Sequence, residues 1–169
     1  TRAAGAAATA HEIAEAEAAM AALGQPPLFM LRPDEAALAA ALTARGYETV
    51  EESRVLAGPL APLAARRPPP LVAYPLWEPL EILRTLWAEG GIGPARQAVM
   101  ARVEGPKTAL LGRAGDRVAG GAFIALAGDL AFCHALYVAP HARRGQLATQ
   151  MLCEAAHWAQ GQGAHTLVV

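Results

Sequence analysis

The sequence predicts an α+β protein built around a mixed sheet, and three observations lead there. From Thr108 onward the apolar pattern changes from helical to strand-like spacing, in runs at 108–113, 118–126 and 130–138. The turns between these runs, AGDR and AGD, are too short for anything but antiparallel neighbours, so the runs form a meander. After the third run comes a helical segment at 144–160 and then a short apolar run, TLVV, within 165–169. A strand–helix–strand crossover of this kind makes the last strand parallel to the third.

The N-terminal elements are read in order. Residues 10–23 (AHEIAEAEAAMAAL) are rich in alanine and glutamate and predict a helix, ended by Gly24, Pro26 and Pro27. PLFML (27–31) predicts a short buried strand. Pro33 and Asp34 open a second helix with Leu38 and Leu42 on its apolar face, closed by Arg45 and Gly46. Residues 47–60 alternate loosely and predict one strand or a hairpin. AARRPPPLVAYP (64–75) predicts a linker, because three successive prolines suit neither helix interior nor central strand. Leu80, Leu83 and Trp87 share one face of a following helix, GIGP breaks it, and Pro94 opens the next. The expected organisation is an α/β module over 1–63, a linker over 64–75 and a core domain over 76–169. A faint echo between 18–31 and 155–169, each a helix end, a Gly-Gln turn and an apolar run, admits an internal repeat or chance similarity of alanine-rich helices.

Composition narrows the function classes. The chain has 169 residues, enough to bury a full core, and a formal net charge of −1, which offers no electrostatic reason for a nucleic-acid partner. No apolar run approaches the roughly 20 residues of a membrane-spanning helix. Cys133 and Cys153 belong to no CxxC pair, and no Cys/His cluster has metal-ligand spacing, so no metal is expected and a reducing cytoplasm is. Alanine and arginine excess, with Lys107 the one lysine, points to a GC-rich bacterial genome. The start at Thr1 and the strand-like end HTLVV read as cut ends.

The chemistry concentrates in ALYVAPHARRGQLATQML (135–152). A strand that ends in a loop and passes at once into a helix makes an anion site, through unpaired N–H groups and the helix dipole. Arg143 and Arg144 add charge-assisted contacts, and Gly145 lets the backbone turn tightly. Neither GxxxxGK[ST] nor GxGxxG is present, so the site is neither a P-loop nor a dinucleotide fingerprint.

Meander, LYVAP, arginine-rich turn, helix and a G-x-G-A-x-x-L-x-V strand together resemble the GNAT superfamily of acyl-CoA-dependent N-acyltransferases, over roughly 76–169. The family's loop motif reads Arg/Gln-x-x-Gly-x-Gly/Ala. Arg143 matches its first position and Ala148 its last, while Gln146 stands where the middle glycine belongs and the glycine sits one place earlier, at Gly145. A position at the helix start suggests negative φ for Gln146, which would leave binding intact, whereas positive φ would weaken it. The resemblance implies acetyl-CoA as cosubstrate. Its diphosphate would meet Arg143, Arg144 and Gly145 and the helix start formed by Gln146, Leu147, Ala148 and Thr149. Its pantetheine would lie along Leu136, Tyr137 and Val138, with the N–H of Leu136 or Tyr137 as oxyanion donor. His134 is a candidate base, the alternative being a structural histidine under the sheet. Trp87 and Glu89, by the EGGIG loop, fall where the family builds its acceptor wall; core or solvated roles are the alternative. The family's usual acid, a tyrosine beyond the last strand, has no counterpart here.

The implied function is N-acetyl transfer to a primary amine of a small molecule or protein, with a non-catalytic acyl-CoA-binding sensor or scaffold as the alternative. A homodimer stays open. The N-terminal module resembles a degenerate half-domain of the same family; it could instead supply what would follow Val169, or be an unrelated regulatory module.

Overall fold

The computed structural model describes residues 9–169, in two compact units that divide between Ser53 and Arg54. In the first unit, α1 (Ala10–Ala22) opens on a capping box: the Thr9 hydroxyl accepts from Glu12 N–H, and the Glu12 carboxylate accepts from Thr9 N–H. Helix α2 (Ala36–Ala44) contributes Leu38 and Leu42 to a small core with Ile13, covered by Phe29 and Tyr47. Expected strand 27–31 is not formed. Leu28 N–H donates to the Met20 sulfur, and Phe29 meets Tyr47 edge-on with ring centroids 5.3 Å apart. Residues 47–53 are also without strand pairing. Among its described residues the first unit therefore contains no sheet, and neither the repeated helix–turn–strand unit nor a family half-sheet is realised there. The physical reason is the absence of any partner edge within the unit for a run this short.

The second unit is a six-stranded mixed sheet with helices on both faces. Its strands are β1 (Ala57–Pro59), β2 (Ala73–Leu76), β3 (Lys107–Ala114), β4 (Arg117–Ala127), β5 (Leu130–Val138) and β6 (Thr166–Val168), in the order β1-β6-β5-β4-β3-β2. The meander β3–β4–β5 is antiparallel, and β6 is parallel to β5, as the crossover requires. Two expectations need correction. The unit begins at Arg54 rather than after residue 63, because β1 pairs antiparallel with β6 and α3 (Ala61–Ala64) follows it directly. The segment 64–75 is not all linker: the proline run covers only 68–70, and Ala73–Leu76 pairs with β3. Pro59 and Pro75 sit in the two outermost strands, where a missing N–H donor is tolerated and deters edge-to-edge pairing.

Helix α6 (Leu147–Gly161) packs on one face, with Met151 and Ala155 against Leu110, Ile124 and Ala131. Helices α4 (Glu81–Glu89) and α5 (Pro94–Arg102) form the layer on the other face, with Leu83 and Trp87 clustered with Ala109 and Phe123. α6 comes close to the sheet through a notch made by the cross-strand pair Gly112 and Gly120: a Cβ on either would fall 2.5 or 2.7 Å from the Met151 sulfur. That notch sets the height of the α6 N-terminus over the C-terminal end of β5.

Candidate functional site

β5 and β6 part company after three residue pairs. Their pairing runs from Leu130 to Phe132 only, so from Cys133 to Val138 the outer edge of β5 has no strand partner among the described residues. On its other side β5 is paired with β4, with one irregularity. Gly121 faces Tyr137 and Phe123 faces His134, so Ala122 stands opposite both Ala135 and Leu136. This is a β-bulge whose first residue, Ala135, has φ of 52°, the left-handed conformation that glycine normally fills.

The peptide groups beyond the bulge alternate between the two edges. Ala139 N–H donates to Ala119 O, towards β4, whereas the Val138 carbonyl accepts from Arg143 Nε at 3.0 Å, away from β4. Alternation then turns the Tyr137 groups towards Gly121 and the Leu136 N–H to the open edge. Of the two expected oxyanion donors, geometry thus favours Leu136. The backbone of Tyr137 is committed to β4, which corrects its placement along a strand-like ligand. Its ring instead lies over Gly90, where an added Cβ would sit 2.5 Å from it.

After β5 a short 3-10 turn (Pro140–Ala142) leads into the arginine loop. The helix starts at Leu147, later than the expected 144, because Arg144 and Gln146 both adopt left-handed backbone, with φ of 64° and 65°. The expectation of negative φ for Gln146 is corrected by this. The motif's middle position does need left-handed backbone, which glycine occupies without a Cβ penalty. Gly145, by contrast, has no positive φ, and a Cβ there would meet only Ala142 O at an ordinary 3.5 Å. The glycine of the Gly-Gln pair therefore stands between the two strained positions and relieves neither.

The α6 N-terminus is open. Gln146 makes no side-chain cap, and among the described residues the N–H groups of Leu147, Ala148 and Thr149 have no partner within the chain. Arg143 and Arg144 are exposed and neither pairs with a carboxylate among the described residues. Three free donors, the positive end of a fifteen-residue helix and two uncompensated guanidinium groups together suit a polyanion. Replacing Gln146 by glycine relieves the left-handed strain, less the entropy that glycine loses on folding. We expect a gain of about 0.5–1 kcal/mol in stability, read as a higher denaturant midpoint. A loss of stability would contradict the assignment of strain to this residue.

His134 lies on the α4–α5 side of the sheet, stacked parallel on Phe132 at 6.2 Å between centroids. It is exposed, and no hydrogen bond holds it among the described residues, so a hydrogen-bonded structural role is not what the geometry provides. Partial burial, and then the nearby Arg96 charge on α5, depress its pKa below the ordinary histidine value. It is therefore neutral, and able to accept a proton, down to lower pH than a free histidine.

The two expected acceptor residues are not alike. Glu89 is exposed and makes no ion pair among the described residues. Trp87 is 1% exposed, and its indole N–H donates to the Ala135 carbonyl at 2.9 Å, so it is tied to the bulge. One flank of Trp87 borders a cleft of about 250 Å³ between α4, α5 and the segment after β2, where Trp77, Arg84, Gln97 and Lys107 also stand. Sequence reasoning missed Ala135, Arg96 and the Gly112/Gly120 notch. All three depend on cross-strand register or packing, and only the paired glycines left a trace in the sequence.

Among the described residues no group of His, Cys, Asp and Glu could hold a metal ion, and no helix is long and apolar enough to cross a membrane. Residues 76–169 match the acetyltransferase (GNAT) family. Of the solved structures, a GCN5-related N-acetyltransferase from Kribbella flavida is similar at 19% identity and a TM-score of 0.54, over 78% of this chain and 52% of that one. A candidate acyl-CoA N-acyltransferase from Klebsiella pneumoniae aligns at 21% identity over 56% of this chain and 67% of its own, with a TM-score of 0.46. A candidate GNAT-family acetyltransferase from Novosphingobium aromaticivorans aligns at 14% identity over 69% and 52%, with a TM-score of 0.47. The chain thus spans about half the length of two of these three structures. A comparison with the curated proteins gives no match. With more than half of its length matched by the family, and the mixed sheet of that fold, the chain belongs to the GNAT acetyltransferase family.

Proposed function

We propose that the protein transfers an acetyl group from acetyl-CoA to a primary amine of a small molecule or protein, by direct attack of the neutral amine on the thioester. The observation that carries this reading is the juxtaposition of the uncapped α6 N-terminus with the unpaired edge of β5. The N–H groups of Leu147, Ala148 and Thr149, with Arg143 and Arg144, would hold the diphosphate; the edge at Leu136 would hold the pantetheine arm as an added strand. When bound, acetyl-CoA supplies an activated acyl group whose leaving group is the CoA thiolate.

The chain's own groups account for the rest. Leu136 N–H, on the open edge, stabilises the negative charge that develops on the carbonyl oxygen as the C–N bond forms. His134, neutral near pH 7, accepts the proton that the amine nitrogen gives up. A cytoplasmic setting fits two free, buried cysteines. Thermal-shift titration with acetyl-CoA, followed by thiol release across a panel of amines, tests the reading. Stabilisation with turnover is the expected result. Stabilisation with no turnover on any amine would mark an acyl-CoA-binding protein, and no stabilisation at millimolar acetyl-CoA would overturn both.

The depressed pKa of His134 gives a pH signature. Activity should fall only below about pH 6.5, the ordinary histidine value, as the base becomes protonated. His134→Gln should lower the rate about 100-fold and remove this acid limb. The same shift bears on stability. The folded state disfavours the protonated imidazole, so this contribution is fully present above the unfolded pKa and is lost as pH falls towards the folded one. An unchanged acid limb in His134→Gln would exclude His134 as the base.

A further inference from the structure

We propose that Trp87 is a positioning residue: its indole N–H holds the Ala135 carbonyl in the β5 bulge and so fixes the next N–H, that of Leu136, on the open strand edge. This rests on the acyl-transfer reading above and adds a residue to its machinery. A bulge of two residues against one leaves a peptide group without its ladder partner. Here Ala135 and Leu136 face Ala122 alone, and the Ala135 carbonyl is the group taken up by Trp87, at 2.9 Å. Ala135 also holds left-handed backbone without being glycine, a conformation that persists only where its surroundings over-determine it.

Those surroundings converge on Trp87. The indole is almost wholly buried, and Gly121, one residue before Ala122 on β4, leaves it room to reach the bulge: a Cβ at Gly121 would come within 2.8 Å of the indole nitrogen and 2.5 Å of Leu83. The bond crosses from α4 to β5, so the α4 layer is fastened to the peptide immediately before the Leu136 N–H. Without the indole donor, the Ala135 carbonyl would be left under-satisfied, and the peptide plane joining Ala135 to Leu136 could tilt about the flanking ψ and φ. That rigid plane carries both the carbonyl of the first residue and the N–H of the second, so turning one turns the other.

The test reads the thioester carbonyl directly. Infrared difference spectra of acetyl-CoA labelled with ¹³C at the carbonyl, bound to the intact chain, should show the carbonyl band at lower frequency than in water, and acetyl-CoA should bind more tightly than CoA. In Trp87→Phe, which keeps an aromatic ring and loses the donor, CoA affinity should stay within about twofold. The preference for acetyl-CoA should fall about fivefold and the band should return towards its free position. If Trp87→Phe does not fold, 3-benzothienylalanine at position 87, which replaces the indole N–H by sulfur at nearly constant shape, is judged by the same criteria. An unchanged band and an unchanged preference in the folded variant would overturn the role of Trp87 while leaving acyl transfer intact. An intact chain that binds acetyl-CoA with no shift of the band would overturn the Leu136 donor and with it the role of Trp87, leaving acyl transfer to the turnover assay; one that does not bind acetyl-CoA would overturn both.

Discussion

Arg143→Glu combined with Arg144→Glu is expected to weaken acetyl-CoA binding by about 100-fold or more, since each lost charge-assisted contact to a phosphate is worth roughly 1.5–3 kcal/mol. Both guanidinium groups flank the uncapped α6 start, and no carboxylate among the described residues neutralises them. Reversal replaces attraction with repulsion at the same place. Arg113→Glu serves as the control, because it removes the same charge from the end of β3 instead of the loop. Isothermal titration should show a loss confined to the loop variant. The two arginines should also contribute unequally. Arg143 is anchored through Nε to the Val138 carbonyl, so its loss should also free the end of β5, whereas the effect of Arg144 should come through its charge. Equal weakening by Arg113→Glu would point to a general effect of net charge and remove the loop from the site.

The second large effect is expected from Gly120→Val. The Cβ alone would stand 2.7 Å from the Met151 sulfur and 3.2 Å from a Leu147 methyl. Met151 is fully buried and cannot swing into solvent, so the added methyl groups must lift α6 or distort β4. Overpacking of this kind costs about 3 kcal/mol, visible as a lower urea midpoint. Because Leu147 is the first residue of α6, the displacement falls on the end of the helix proposed to bind the diphosphate. Acetyl-CoA affinity should therefore drop together with stability. Ala155→Gly, deeper in the same helix, should lower stability with little effect on affinity. A Gly120→Val variant as stable as the parent would mean that α6 is not held by the glycine notch.

How much of this was legible before the structure depends on the range of the interaction involved. The β3–β4–β5 meander and the parallel β6 follow from local spacing and short turns, and the structure reproduces them nearly residue for residue. Local reasoning failed where a segment's state depends on a distant partner. PLFML has strand-forming residues yet finds no edge to pair with, while VAYPL, set aside because of the prolines before it, is offered the edge of β3 and takes it. The loop shows the same divide at the scale of one residue. Its arginines and helix start could be read directly, but the left-handed backbone at Gln146 could not, since a helix-start position normally carries negative φ. Nothing in HALY announces a bulge, and without the bulge Trp87 looked like part of an acceptor wall.

The central claim is that free amide hydrogens at the start of α6 receive the diphosphate of CoA. Titrating ¹⁵N-labelled protein with CoA, and separately with dephospho-CoA and pantetheine, tests it most directly. The amide resonances of Leu147, Ala148 and Thr149 should move downfield with both diphosphate-bearing ligands and stay in place with pantetheine. Shifts confined to other parts of the sheet, with these three amides unmoved at saturating CoA, would contradict it.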